Sequence, residues 1–211
     1  MSTPFPNQVE ILYMGVEHLT VLASAPCSEV LDSLDYKQPK SIREVSEELG
    51  KSTASIGEQL AKLLEVGLVV AAGTRQRRAR VETLYVLSFG QIIMDLPNAS
   101  EEAINEYITK FRCEMRLTDR LHVTAQRALR SKPDLLQHIH YFTSNGYLSK
   151  ENAKKMKAAL AQLHTEFGQL AVSAPQNGEQ ENFVRVKLAT TMLPSQHESE
   201  RIIKSAKKLS P

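Results

Sequence analysis

Four arginines close together carry the strongest chemical signal in this sequence of 211 residues. Arg75, Arg77, Arg78 and Arg80 lie in the segment GTRQRRAR, residues 73–80, which contains no acidic residue. Guanidinium groups bind phosphates through their charge and their paired N–H donors, so the cluster favours a polyanionic ligand. Because the whole chain has a formal net charge of only +2, a nucleic-acid role has to depend on local charge.

The arginines lie between two segments with the pattern of β-strands. Residues 68–72, LVVAA, are short, apolar and partly β-branched, and residues 81–88, VETLYVLS, alternate in character. We therefore expect a β-hairpin in which residues 73–80 form a cationic loop.

Two short helices are predicted directly before this hairpin. Ser41 and Glu44 have the spacing of a capping box, and Gly50 is expected to end the first helix. Ser52 is expected to cap the second helix, which ends at Gly67 and has the apolar stripe Ile56, Leu60, Leu63 and Leu64. Two such helices are typical of a helix-turn-helix, and the hairpin adds a wing. A helix fits the DNA major groove, and wing arginines can reach flanking phosphates.

Residues 41–69 resemble the winged-helix core of bacterial ArsR-type transcriptional regulators. The likeness includes the Leu60 and Leu63 pair, and Gly67 followed by Leu68 and Val69. Residues 22–34 resemble the first helix of that winged helix, and the later helices are similar to extended members of the family. MarR-type and related regulators share the motif. The resemblance implies a homodimeric, DNA-binding transcriptional regulator, for which we expect the role of a repressor.

The resemblance also implies that residues 52–64 read the groove. With Ile56 and Leu60 buried, helical geometry turns Ala54, Ser55, Glu58 and Lys62 outward and places Thr53, Gly57 and Gln59 at the flanks. The residues expected to bind DNA are Ser41, Arg43, Lys51, Ser52, Thr53, Ser55, Glu58, Gln59, Lys62, Arg75, Arg77, Arg78 and Arg80.

Two residues of this helix depart from the family pattern. Glu58 is acidic beside phosphates, although it could accept a hydrogen bond from cytosine N4. Gly57 weakens a helix by about 1 kcal/mol relative to alanine. Both departures favour the alternative interpretation, in which the winged helix binds protein or RNA without specific DNA recognition.

A heptad pattern between residues 99 and 131 predicts a long helix. Its spacing alternates between four and three residues, as in a coiled-coil seam, and favours a dimer interface over an intramolecular core. The seam consists of Ile104, Ile108, Phe111, Met115, Thr118, His122, Ala125 and Leu129. Arg112, Arg116, Arg120 and Arg127 flank it, and we interpret them as a solvated stripe, with a second DNA-binding or acidic-ligand surface as the alternative.

The fold class predicted overall is mainly α, with a small β-hairpin wing. An N-terminal helix, in the region 1–21, is expected to pack on the dimer region. The winged helix covers residues 22–90, and residues 98–211 form a helical dimerisation and effector region. This last region is predicted to contain a helix at 150–172 with Met156, Leu160, Leu163, Phe167 and Leu170 inward, a strand at 183–192 and a basic tail after Glu200.

Other functional classes find little support in the sequence. Two cysteines, Cys27 and Cys113, exclude a disulfide framework and a four-cysteine zinc site, and we expect inert thiols in a reducing cytoplasm. His122, His138 and His140 are too few to predict a metal site, and no cofactor or enzymatic motif is present. The sequence contains no uninterrupted apolar run of 18 residues, and so no membrane span is predicted.

The apolar residues of the C-terminal region have two interpretations. They form plain hydrophobic core or, as the alternative, a pocket for a small apolar effector lined by Phe111, Met115, Phe142, Met156 and Phe167.

Overall fold

The structure is a computed structural model that describes residues 5–78, 80–134, 139, 146–170, 186–190, 193 and 199. The chain divides into two compact units, residues 1–132 and 133–211. Helices dominate the described residues and two small sheets accompany them, as the predicted fold class requires. The finer division into regions 1–21, 22–90 and 98–211 stays a prediction.

The elements of the first unit follow one another along the chain from the N-terminus to residue 128. They are β1 (Val9–Tyr13), α1 (Val16–Leu22), α2 (Ala25–Ser33), β2 (Lys40–Ser41), α3 (Ile42–Leu49), α4 (Thr53–Glu65), β3 (Val69–Arg77), β4 (Arg80–Leu87), β5 (Phe89–Ile93), a 3-10 turn (Leu96–Asn98) and α5 (Glu101–Ala128). In the second unit the described helix is α6 (Lys150–Leu170).

The N-terminal segment differs from its prediction. The apolar period of residues 7–25 indicates one helix, but residues 9–13 form β1, and α1 begins only at Val16. β1 pairs in parallel with β5, with Val9 opposite Phe89 and Tyr13 opposite Ile93. The helical interpretation of residues 9–13 is wrong because a short apolar segment fits both periods, and its partner strand follows only after the wing.

Helices α2, α3 and α4 surround the main hydrophobic core. Its most deeply buried residues, each at most 2% exposed, include Leu22, Val30, Val45, Ile56, Leu60, Leu63 and Leu68. The capping box of α3 is confirmed, since Ser41 and Glu44 each accept a backbone hydrogen bond from the other. Gly50 ends α3 in the left-handed conformation, with φ of 63°. Leu64, expected in the core, is 36% exposed because it lies about 100° around the helix from Leu63.

The wing strands are longer than predicted. β3 continues to Arg77 and β4 begins at Arg80, so the expected loop over residues 73–80 is wrong. Residues 74–77 pair with residues 80–83, and a shift in register between Ala71 and Thr74 contains Gly73, whose φ is 106°. The polar composition of residues 73–80 predicts a loop, whereas a bulge of this kind keeps such residues within a strand. The sheet has the order β2-β4-β3.

Helix α5 confirms the long helix predicted from the heptad pattern. Ser100 caps it by accepting a hydrogen bond from the N–H of Ala103 at 3.1 Å. The helix packs against α1 and α2, and its buried residues are Cys113 and Leu117. The seam lies on the opposite side of the helix, where Ile104, Ile108 and Met115 are 38%, 40% and 37% exposed.

Some predictions for the C-terminal region are wrong. Helix α6 agrees with the helix predicted at 150–172, but Met156, Leu163 and Leu170 of its supposedly inward stripe are exposed. An amphipathic pattern shows which face is apolar and leaves open whether a partner covers it. The predicted strand at 183–192 is not formed in its described part, residues 186–190. The basic tail lies outside the described residues. None of the described helices is long and apolar enough to cross a membrane.

Candidate nucleic-acid interface

Helix α4 presents a polar face that begins at its cap. Ser52 accepts a hydrogen bond from the N–H of Ser55 at 3.2 Å, which confirms Ser52 as the N-cap. The first turn contains no acidic residue, so the positive end of the helix dipole remains available to an anion. The exposed residues of this face are Ser52, Thr53, Ala54, Glu58 and Lys62, and Ser55 is half-buried.

Gln59 does not lie on that face. It is 9% exposed, and its Oε1 accepts a hydrogen bond from Sγ of Cys27 on α2 at 3.1 Å. The expectation that Gln59 lies at the flank of the exposed surface is wrong, because the groove between α2 and α4 takes up its amide. This contact holds α4 against α2 in addition to the apolar core.

The tip of the wing carries three exposed arginines. Arg77 and Arg80 are opposite each other in the last pair of the hairpin, and Arg78 follows in the turn. Among the described residues, none of the three forms an ion pair. Arg78 has φ of 52°, a conformation that residues with a side chain rarely adopt, and its carbonyl accepts a hydrogen bond from Nε2 of Gln76 at 2.9 Å. The turn therefore holds a cationic side chain at its outermost point.

Arg75 has a different environment from the other wing arginines. Its Nη2 lies 2.9 Å from Oε1 of Glu44 and 3.1 Å from Oε2 of Glu82. Arg43 also reaches Glu82, with Nε 3.2 Å from Oε1, and pairs with Glu47 one turn along α3. Arg75 and Arg43 thus join the wing to α3, and a phosphate contact would compete with these partners.

The ion pairs shift the pKa values of the groups that form them. The hydrogen bond from Arg75 lowers the pKa of Glu82, and Arg43 adds to this effect. Burial alone would raise the pKa of Glu44, but hydrogen bonds from the Ser41 N–H, Arg75 and the Ser41 hydroxyl lower it below its usual value. Both acceptors correspondingly raise the pKa of Arg75. All three groups are therefore charged at neutral pH.

Two further predicted contacts are also engaged within the protein. Ser41 is 2% exposed, and its hydroxyl donates to Oε2 of Glu44 at 2.9 Å. The expectation that Ser41 is accessible to a phosphate is wrong, because its role as a cap buries it. Lys51 is accessible but pairs with Glu29 on α2.

The residues considered for sensing show no metal-binding arrangement where the structure describes them. Cys27 and Cys113 are 0% and 1% exposed, as expected of inert thiols. No group of three His, Cys, Asp or Glu residues in the described part could hold a metal ion. His138, His140 and Phe142 lie outside the described residues, and the histidine cluster and the effector pocket stay predictions.

Comparison with protein families identifies the helical core of this interface. The family model of the bacterial regulatory protein, arsR family, matches residues 28–70, from within α2 to the start of β3. These residues form an ArsR-type helix-turn-helix domain. The match confirms the predicted resemblance and supports a DNA-binding transcriptional regulator. Among curated proteins, none shows significant similarity to the chain.

Several solved structures are distantly similar to the chain. Lactococcus lactis ZitR in complex with DNA is 14% identical, with 68% of this chain and 73% of that chain covered and a TM-score of 0.25. Streptococcus pneumoniae FabT in complex with DNA is 14% identical, with 69% and 76% covered and a TM-score of 0.24. Staphylococcus aureus MarR in complex with salicylate and kanamycin is 13% identical, with 70% and 75% covered and a TM-score of 0.25.

The acidic residues that hold the wing were not predicted from the sequence. By sequence pattern, Glu82 is only a residue of an alternating strand, and Glu44 is only part of a capping box. A two-residue turn at positions 78 and 79 would have placed Glu82 opposite Arg75, since paired residues are then equally far from the turn. The signal was therefore present, but it required the correct position of the turn.

Proposed function

We propose that the protein is a homodimeric repressor that reads an operator with α4 and holds flanking phosphates with the wing. The observation that supports this most strongly is the pairing of an exposed polar face on α4 with a wing tip that bears Arg77, Arg78 and Arg80. The two features are adjacent in the chain and belong to one small winged-helix core. Arginines at a wing tip can contact phosphates or enter a narrow minor groove.

The exposure of the side chains limits the set of α4 residues that could contact bases. Ser55, Glu58 and Lys62 project from α4, and Ser52 and Thr53 lie where the helix would meet the phosphates. Glu58 would accept from cytosine N4, and Lys62 would donate to guanine. Arg43, Lys51 and Arg75 would act as supports, since each pairs with an acidic residue of the protein.

The exposure of the α5 seam supports the dimer. Ile104, Ile108 and Met115 repeat on one side of a helix and face away from the core of their own unit. Apolar residues at heptad spacing are stabilised by a second helix that covers them. Two protomers joined there would present two α4 helices to the half-sites of a pseudo-palindromic operator.

Fluorescence anisotropy with two labelled duplexes tests DNA binding. One duplex is taken from the region upstream of the protein's own coding sequence, and the other is its scrambled version. We expect tighter binding to the upstream duplex. The double variant R77Q/R78Q should bind both duplexes less tightly, and the slope of log K against log salt should fall by about 0.9 for each phosphate that the wing no longer neutralises.

The matched control is K154Q/K157Q, which removes the same charge from exposed positions of α6. This control should keep the affinity and salt slope of the unchanged protein. An equal reduction of affinity in both variants would show that total charge, and not the wing, sets the affinity. Absence of binding to either duplex would contradict the proposal and favour a winged helix that binds protein or RNA.

Sedimentation equilibrium tests the dimer, and a reporter assay tests the sign of regulation. Ile108→Glu should convert a dimer to a monomer, because it places a charge within the apolar part of the seam. Thr109→Glu, one residue away and outside the seam, should remain dimeric. A reporter fused to the upstream region should be expressed more strongly when R77Q/R78Q replaces the unchanged protein. Lower expression would indicate an activator.

A further inference from the structure

A row of arginines follows one side of α5 and is distinct from the seam. Arg112, Arg116, Arg120 and Arg127, here named the arginine stripe, are all exposed. At about 100° per residue they fall within an arc of about 80° on the helix. This arc lies between the buried residues Cys113 and Leu117 and the edge of the seam, with Arg112 about 40° around the helix from Ile108. A dimer formed through the seam would thus leave Arg116, Arg120 and Arg127 accessible and place Arg112 at the edge of the interface.

The stripe has few acidic neighbours to neutralise it. Glu114 pairs with Lys110, and Asp119 is the one acidic residue between Arg116 and Arg127. Among the described residues, Arg112, Arg116 and Arg127 form no ion pair. Like charges four residues apart, such as Arg112 with Arg116, destabilise a helix. A partner of opposite charge would offset this cost.

Arg120 connects the stripe to the beginning of α4. Its Nη2 lies 3.7 Å from Oε1 of Glu29 on α2, and Oε2 of Glu29 pairs with Lys51. Lys51 directly precedes Ser52, the N-cap of α4. The arginine stripe therefore passes close to the end of α4 that would approach the DNA backbone, and both belong to the first unit of the chain.

We propose that the arginine stripe contacts the phosphates of double-stranded DNA outside the segment read by α4 and the wing. This inference rests on the function proposed above. From Arg112 to Arg127 the stripe extends about 22 Å along the helix axis, at about 1.5 Å per residue. That length spans several phosphates of a strand whose nucleotides rise by about 3.4 Å each. The gaps of four, four and seven residues keep all four charges on one side of the helix, as contact with a polyanion requires.

Duplexes of two lengths with the same central sequence test the proposal. We use the upstream region at about 20 and about 40 base pairs, and the full-length protein at about 50 mM salt. The unchanged protein should bind the longer duplex about tenfold more tightly. In R112Q/R116Q/R127Q this gain should disappear, and the salt slope on the longer duplex should fall by about 0.9 for each phosphate that the stripe no longer neutralises. Arg120 is kept because it pairs with Glu29.

The matched control is K150Q/K154Q/K157Q on α6, which should keep the gain from the longer duplex. Circular dichroism and sedimentation should show that both triple variants remain folded and dimeric. If the stripe variant keeps the gain, the inference is wrong, and the arginines are a solvated surface or bind an acidic protein. Equal weakening on both duplexes would also overturn it, since the stripe would then act within the central site. If the unchanged protein binds neither duplex, the proposed function fails as well.

Discussion

Arg75 and Glu82 are opposite each other across the wing hairpin, and Nη2 of Arg75 lies 3.1 Å from Oε2 of Glu82. The same nitrogen lies 2.9 Å from Oε1 of Glu44 at the start of α3. One guanidinium group therefore connects both strands of the wing to the helix-turn-helix. This contact separates Arg75 from Arg77, Arg78 and Arg80, which have similar positions in the sequence but project from the tip.

Arg75→Ala should lower the free energy of unfolding, and its effect on the free energy of DNA binding should be smaller. We expect the free energy of unfolding to fall by about 0.5–1 kcal/mol, because the pairs are partly exposed and screened by solvent. Arg80→Ala removes the same charge from an exposed position and should leave stability nearly unchanged. Urea denaturation of both variants measures the difference. Equal reductions in stability would show that the Arg75 pairs contribute nothing.

The same ion pairs should make the stability of the wing depend on pH. The pKa values of Glu44 and Glu82 in the folded protein lie below the usual value of 4.5. The unfolded chain therefore binds more protons as the pH falls. The contribution of the pairs is complete above about pH 4.5 and is lost as the pH falls through the folded pKa values.

Comparison with Glu82→Gln isolates this effect. The difference in melting temperature between the unchanged protein and Glu82→Gln should be constant from about pH 7 to pH 5. Below about pH 4.5 it should become smaller, because protonation makes the two proteins alike. A difference that stays the same at about pH 3 would contradict the assignment of the lowered pKa to Glu82.

The conformation of Arg78 predicts opposite effects of two substitutions that remove the same charge. Arg78 has φ of 52°, in the left-handed region that glycine adopts without strain. Arg78→Gly should therefore leave the free energy of unfolding unchanged or raise it by up to about 1 kcal/mol. Arg78→Val should lower stability by about 1–2 kcal/mol, because a β-branched side chain is disfavoured there. Thermal unfolding distinguishes the two. Both should weaken DNA binding to a similar extent, and a large difference in affinity would point to geometry and not charge.

The contact between Cys27 and Gln59 predicts that the thiol matters as a hydrogen-bond donor. Cys27→Ala leaves the buried Oε1 of Gln59 without this donor and should cost about 1–3 kcal/mol of stability. Cys27→Ser supplies a hydroxyl in its place and should cost less. Urea denaturation of both variants tests the order, and a serine variant less stable than the alanine variant would contradict it. Neither native cysteine should react with a thiol reagent before unfolding, since both are buried.

The helix-turn-helix and the outline of its interface can be predicted from the amino-acid sequence. The caps at Ser41 and Ser52, the stop at Gly50 and the stripe of Ile56, Leu60 and Leu63 depend on contacts within a few residues. Local hydrogen bonds and helical periodicity leave little freedom at such positions, so their pattern is readable directly. The cationic wing and the long amphipathic α5 follow from the same kind of local pattern.

Features that depend on partners far along the chain become visible only in the folded protein. Residues 9–13 form a strand because β5 lies beside them, and Arg75 pairs with α3 because the hairpin brings it to Glu44. Gln59 turns inward because Cys27 on another helix donates to it. In each case the residue is compatible with two local states, and the energy that selects one comes from a group far along the chain.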